Sequence, residues 1–171
     1  MPPLDALMHM FTTVSLGGLS SHDKSFGHFQ SPLLEGIAFV FMVAASCNFA
    51  LYFVAMRKGN WRGFWRDPEM RATVSVLLGG ALLVALLLWA KGVYGIWDAL
   101  RYGMFNAVSV ATTTGFATTD YLSWPVFAPM FMLLLSGMAT SAGSTGGGIK
   151  MMRMLILFRQ ARRELTRLVH P

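Results

Sequence analysis

The sequence predicts an all-α integral membrane fold, assembled from units in which a short re-entrant helix and loop precede a spanning helix. Three observations carry that prediction. Hydrophobic residues make up 54% of the 171 positions and charged residues only 13%, where a soluble domain carries about 25% charge. Three uncharged stretches, 37–56, 72–90 and 121–149, reach the roughly 20 apolar residues that a helix needs to cross a bilayer. Finally, two segments of the chain repeat one another. The same composition excludes disordered, collagen-like and disulfide-framework classes. The single cysteine, Cys47, lies in an apolar run and can form no bridge within the chain.

In chain order, residues 2–13 predict a helix of about half a span, with Pro3 near its start and Asp5 in its first turn. No basic segment or cleavage site marks it as a signal peptide. A polar Ser/Gly stretch leads into the span at 37–56, in which Ser46 and Asn48 are expected to hydrogen-bond to a neighbouring helix. Residues 57–71 form a basic linker to the span at 72–90, and a second short helix is expected between Trp97 and Val110. The stretch 121–149 contains Gly143, Gly146, Gly147 and Gly148. One interior glycine costs a helix about 1 kcal/mol, so four this close predict a break within the membrane and a second helical piece from Met151 to Phe158. Glu35 and Lys91, near span ends, are expected to snorkel or face solvent. Trp61, Trp65, Trp89, Trp97 and Trp124 suit interfacial anchoring, and the methionines ordinary packing. This organisation gives four parts: a unit lacking its first span at 1–56, the linker at 57–71, a complete unit at 72–158, and a basic tail at 159–171.

Charge placement sets the expected orientation. Of 14 Lys and Arg, 11 lie in 57–71 and 150–167, which puts both segments on the cytoplasmic side. The high isoelectric point is thereby assigned to anionic lipid headgroups rather than nucleic acid. Residues 20–31 and 118–124 then face outward. The span at 72–90 delivers the chain outside, and the next span also starts there. Residues 97–120 must therefore enter the membrane and return, as a re-entrant loop does.

The repeat falls in these re-entrant segments. Thr13 to Asp23 reads TVSLGGLSSHD and Val110 to Asp120 reads VATTTGFATTD. Aligned on Gly18 and Gly115, both give a hydroxyl residue, two variable positions, Gly, a bulky apolar residue and a small one, ending at Asp. Cation dehydration is the chemistry that needs this pattern: backbone carbonyls replace water around the ion. Carbonyls turn toward one axis where a residue adopts positive φ, which favours glycine. Hydroxyl neighbours are expected to add oxygen ligands and anchor the backbone, while the short helix aims its negative end at the cation.

On these residues, and on Ala142-Gly143-Ser144-Thr145-Gly146-Gly147-Gly148-Ile149-Lys150 and the ending Arg163 to Pro171, the chain resembles the Trk/Ktr/HKT potassium transporter superfamily, most of all the membrane subunit of its bacterial Trk branch. That resemblance covers essentially the whole chain. It implies potassium-channel-like units, here the second without its first span and the third, with the first and fourth absent, as in a truncated product or gene fragment. It implies a K⁺ filter formed by Ser15, Leu16, Gly17 and Gly18 with Thr112, Thr113, Thr114 and Gly115. Leu19 stands where Phe is more usual, which should alter packing behind the filter. Gly143, Ser144, Thr145, Gly146, Gly147 and Gly148 resemble an intramembrane gating loop below the filter. As a run of Gly and Ser, that loop is expected to have little packing to fix it. The resemblance further implies K⁺ as transported ion with no cofactor on this chain, a multi-pass place in the bacterial inner membrane, and a cytoplasmic C-terminus. Its implied partners are the remaining pore units or a full-length copy, a homodimer mate, and a cytoplasmic ring that binds NAD or ATP.

Other readings weigh less. Gly143 to Lys150 lacks the Lys and hydroxyl spacing of a phosphate-binding loop. His22, Asp23, His28 and Asp120 match no metal-ligand spacing and read as solvated loop residues. An intramembrane protease would need a nucleophile beside a base, and His9 has no paired serine motif, so the chain reads as a non-enzyme. A membrane accessory protein without transport of its own stands as the alternative. Coupling to H⁺ or Na⁺, and K⁺ over Na⁺ preference, are not written in two filter segments.

Overall fold

The structure is a computed structural model that describes residues 1–59 and 61–169; Asn60 of the linker, and His170 and Pro171 at the end of the basic tail, lie outside the described residues. All regular structure among them is helical. Helix α1 (Pro3–Val14) starts at a proline in its first turn and is followed by the first glycine-centred loop and a short 3₁₀ turn, Ser25–His28.

The expected span at 37–56 is not one helix. It is α2 (Pro32–Ala45) and α3 (Phe49–Lys58), bent by 88° at the break between them. The three mildly polar residues explain the bend. The Asn48 side chain accepts the Ala50 N–H at 2.9 Å and so starts a new helix, while the Ser46 hydroxyl donates to the Val43 carbonyl at 2.7 Å. Both side chains serve their own segment, not a neighbouring helix. The linker also contains a helix, α4 (Trp61–Arg66). Helix α5 (Pro68–Ala90) starts at Asp67, whose carboxylate accepts the Met70 N–H at 2.8 Å. Among the described residues it alone is long and apolar enough to cross a membrane unbroken.

The second re-entrant helix runs through α6 (Ile96–Asp98), a π-helical turn (Ala99–Gly103) and α7 (Met104–Ala111). Helix α8 covers only Phe127–Ser136, so the break in the last span starts at Gly137 rather than Gly143. The loop itself stops the helix: Gly148 packs on the Ser136 and Gly137 carbonyls, and the Ile149 N–H donates to the Gly137 oxygen at 2.7 Å. Helix α9 (Met151–Val169) completes the chain.

Helix α5 is the hub. Its Leu77, Ala81, Val84, Ala85 and Leu88 are buried, packed against α7, α8 and the π turn. Gly103 permits that approach, since a β-carbon there would lie 2.9 Å from the Ala85 Cα. Two polar expectations change. Glu35, in the first turn of α2, is buried and receives two Arg101 bonds, Nε to Oε2 and Nη2 to Oε1, both 2.7 Å. The ion pair joins α2 to the second re-entrant helix, and its bidentate geometry offsets the desolvation of the carboxylate. Trp124 is buried among Tyr94 and Tyr121, unlike the exposed Trp61, Trp65, Trp89 and Trp97.

Candidate functional site

The two repeated loops adopt one backbone pattern. Leu16 (φ 52°) and Gly18 (φ 64°) are left-handed in the first, Thr113 (φ 62°) and Gly115 (φ 91°) in the second. Amides bond back to the re-entrant helix in register. Gly17 N–H donates to the Thr12 carbonyl and Thr114 N–H to the Ser109 carbonyl, both at 2.9 Å; Leu16 N–H donates to Thr13 and Thr113 N–H to Val110, at 3.2 and 3.0 Å. Among the described residues, the carbonyls of Leu16, Gly17, Thr113 and Thr114 accept no hydrogen bond. Donors committed inward and acceptors left free is the condition for a carbonyl ligand set. The loops also touch: a β-carbon on Gly18 would overlap the Thr114 carbonyl oxygen, whereas one on Gly115 would meet nothing within 4 Å.

The filter hydroxyls do not behave as expected of ligands. Thr112 Oγ1 bonds to Thr114 Oγ1 at 2.7 Å and donates to the Val108 carbonyl at 2.8 Å, and both threonines are buried. Thr113 Oγ1 accepts a bond from below, from the Gly147 N–H at 2.7 Å. They brace the loop, leaving backbone oxygens as the ligands on offer. Ser15 reaches only its own helix, at 3.5 Å to the Thr12 carbonyl.

Behind each loop lies a buried polar residue that the sequence did not single out for support. In the second, Asn106 is fully buried; its Nδ2 donates to Thr118 Oγ1 at 2.7 Å and its Oδ1 accepts the Thr118 N–H at 3.1 Å. In the first, His9 Nδ1 donates to the Asp5 carbonyl at 2.7 Å, and its Nε2 shares a hydrogen bond with the Ser20 hydroxyl, 2.9 Å away. The re-entrant turn brings Ser20 back to His9, a pairing across 11 positions that no serine motif in the sequence marks. Rings of Phe26, Phe29 and Phe116 enclose the imidazole. Asp5 ties down the outer end, accepting from Ser21 Oγ at 2.8 Å and from His22 Nε2 at 3.1 Å. His22 stacks on His28 with centroids 3.8 Å apart, while Asp23, His28 and Asp120 are exposed, as residues of a solvated loop are. No group of three metal-ligating side chains is close enough for a metal among the described residues. Leu19 is 72% exposed, while its counterpart Phe116 is fully buried; Leu19 therefore packs behind nothing in this chain.

The glycine loop lies under both filter loops and is pinned, contrary to its composition. Thr145 Oγ1 donates to the Val14 carbonyl at 3.1 Å, and Gly147 bonds to Thr113 as above. Thr140 Oγ1 donates to the Gly147 carbonyl at 2.7 Å, the Lys150 ammonium reaches the Gly146 carbonyl, and Ser144 Oγ donates to the Ser141 carbonyl at 2.7 Å. Gly143 sits where a β-carbon would overlap the Asn48 amide, and its carbonyl accepts the Phe49 N–H at 2.9 Å. The bend in the preceding unit and the break in this one are thus locked together.

Comparison with known proteins agrees with this geometry. The sequence matches the TrkH family, described as cation transport proteins, over residues 1–171. It is 41% identical over 172 residues to the Trk system potassium uptake protein TrkH of Salmonella typhimurium, covering 100% of this chain and 36% of that protein. The Vibrio parahaemolyticus protein of that name is 42% identical over 174 residues, with the same coverage. The crystal structure of the potassium transporter TrkH from Vibrio parahaemolyticus superposes with a TM-score of 0.95, over 100% of this chain and 37% of that one. The chain thus spans a little over a third of the length of these relatives.

Proposed function

We propose, from the premise that this chain belongs to the TrkH family of cation transport proteins, that it forms two of the filter-bearing units of a membrane potassium-uptake transporter. The observation that carries this reading is the matched pair of loops, with amides bonded inward and four backbone carbonyls free. Leu16, Gly17, Thr113 and Thr114 supply oxygens that replace the hydration shell of K⁺, and the paired left-handed residues hold those oxygens in line. The negative ends of α1 and α7 add to the attraction for a cation.

The glycine loop 143–148 is the gate in this account. Its bonds to Thr113 and Val14 support a position across the inner end of both filter segments, where shifting it opens or blocks the path. The basic residues of 57–71 and α9 support a cytoplasmic location for both, in the bacterial inner membrane. By the family's implication, the remaining pore units or a full-length copy, a second transporter in a homodimer, and a cytoplasmic ring binding NAD or ATP complete the assembly. The chain acts without covalent chemistry: His9 is 3% exposed and walled by aromatic rings, which makes its bond to Ser20 a brace.

The experiment is a chimera in which residues 1–171 replace the aligned stretch of the Vibrio parahaemolyticus TrkH. In cells lacking other uptake systems it should restore growth at low K⁺. Cysteines placed at Lys58 and Arg162, in a Cys47→Ala background, should react only with permeant reagents, and those at Lys24 and Ser123 from outside. A chimera present in the membrane that moves no K⁺ contradicts the reading, as does outside labelling at Lys58.

A further inference from the structure

We infer that Glu69 is the latch of the glycine loop: a buried carboxylate on α5 that holds the loop shut beneath the filter and ties it to the cytoplasmic linker. The inference rests on reading that loop as the gate. Glu69 is 3% exposed although it lies in the first turn of α5. Its Oε1 accepts the backbone N–H of Ala142 at 2.7 Å, across 73 positions of sequence. One turn further along the same face of α5, Thr73 Oγ1 bonds to Ser141 Oγ at 3.0 Å. The two side chains grip the two residues that lead into Gly143.

The opposite side of the same two residues is held too. Ser141 N–H donates to the Ser46 carbonyl at 2.9 Å, within the bend between α2 and α3. The segment that leads into the glycine loop is therefore clamped between two elements, α5 and the bend between α2 and α3. Of the two, α5 begins at Pro68, the residue after the Asp67 that caps it, within the 57–71 linker. Phe64 of α4 is buried in one small cluster with Met70 of α5, so displacing α4 moves the turn that carries Glu69.

A latch of this kind acts through its acceptor oxygen, and that distinguishes it from a charge effect. In the chimera, Glu69→Ala removes the acceptor, and Glu69→Gln keeps an oxygen in place without the charge. Losing one hydrogen bond to a charged group shifts a two-state equilibrium about tenfold or more. Glu69→Ala should therefore raise K⁺ flux by about that factor when the cytoplasmic partner is absent, with reduced response when it is present. Thr73→Val, a milder change, should shift flux in the same direction by less. Glu69→Gln, which keeps the bond and loses its charge assistance, should fall between the parent and Glu69→Ala. Equal release by Gln and Ala overturns the latch in favour of charge. Unchanged flux in Ala and Val, at normal membrane abundance, overturns it outright. Deleting Gly147 in the same chimera separates the two ideas: if that deletion alters flux while Glu69→Ala does not, the gate stands and the latch falls; if neither does, the gate itself is wrong.

Discussion

The two filter loops share a backbone and differ in what holds it. The second is enclosed: Phe116 is buried, Asn106 spans the turn with neutral bonds to Thr118, and Ser109 Oγ donates to the Phe116 carbonyl at 2.7 Å. The first leans on an imidazole and a carboxylate, His9 and Asp5, and exposes Leu19 where the second buries Phe116. The glycines differ in the opposite sense. Gly18 of the less enclosed loop abuts the Thr114 carbonyl, whereas Gly115 faces open space. A shared backbone geometry can therefore rest on unlike supports, because both loops keep the same φ pattern and inward amides.

That contrast can be broken by substitution, the largest effect first. In the chimera, Gly18→Ala should abolish K⁺ uptake, since it adds a steric overlap with Thr114 to a left-handed backbone. Gly115→Ala should retain flux and lose discrimination between K⁺ and Na⁺, because only conformational strain of about 1–3 kcal/mol opposes it. Equal defects in the relative K⁺ and Na⁺ uptake of the two variants would erase the asymmetry. Next in size, Asn106→Ala leaves the half-buried Thr118 N–H without its side-chain acceptor, a loss of about 1 kcal/mol. Hydrogen exchange should then quicken in the second loop and stay slow in the first; uniform quickening would mean the loops are one cooperative unit.

The smallest effect sharpens the comparison through pH. Asp5 stands at the outer end of re-entrant α1, outside the spanning helices. Hydrogen bonds from Ser21 and His22 hold its carboxyl below the usual value. A lowered folded-state pKa stabilises the loop at pH above the ordinary carboxylate value, and the benefit is lost as pH falls through the lowered one. Acid should therefore raise the reactivity of a cysteine at Lys24 while leaving one at Leu122 unchanged, and Asp5→Asn should remove the dependence. Acid sensitivity that survives Asp5→Asn would assign it to another group.

The repeat, the two short helices, α5 and the existence of a break near the glycines were legible in the sequence, because each leaves a local mark: Pro and Asp at a helix start, an uncharged Leu-rich run, clustered glycines. What was not legible depends on partners distant in sequence. Glu35 looked like a span-end charge until Arg101 met it, and the Gly/Ser loop looked loose until Thr113, Val14 and Glu69 gave it bonds. The 88° bend has a faint local signal in Ser46-Cys47-Asn48. Only the Asn48 cap, which needs the following backbone to turn, distinguishes a bend from a mildly polar helix. The second re-entrant helix was legible between Trp97 and Val110, but its π segment at Ala99–Gly103 has no distinctive pattern in the sequence.

The central claim is that the free carbonyls of both loops ligate a dehydrated K⁺. Anomalous diffraction from crystals of the chimera grown with Rb⁺ in place of K⁺ measures this directly. The account predicts ion density level with the Leu16, Gly17, Thr113 and Thr114 carbonyls, lost in Gly18→Ala. A transporting chimera whose Rb⁺ density lies away from these four oxygens would contradict it.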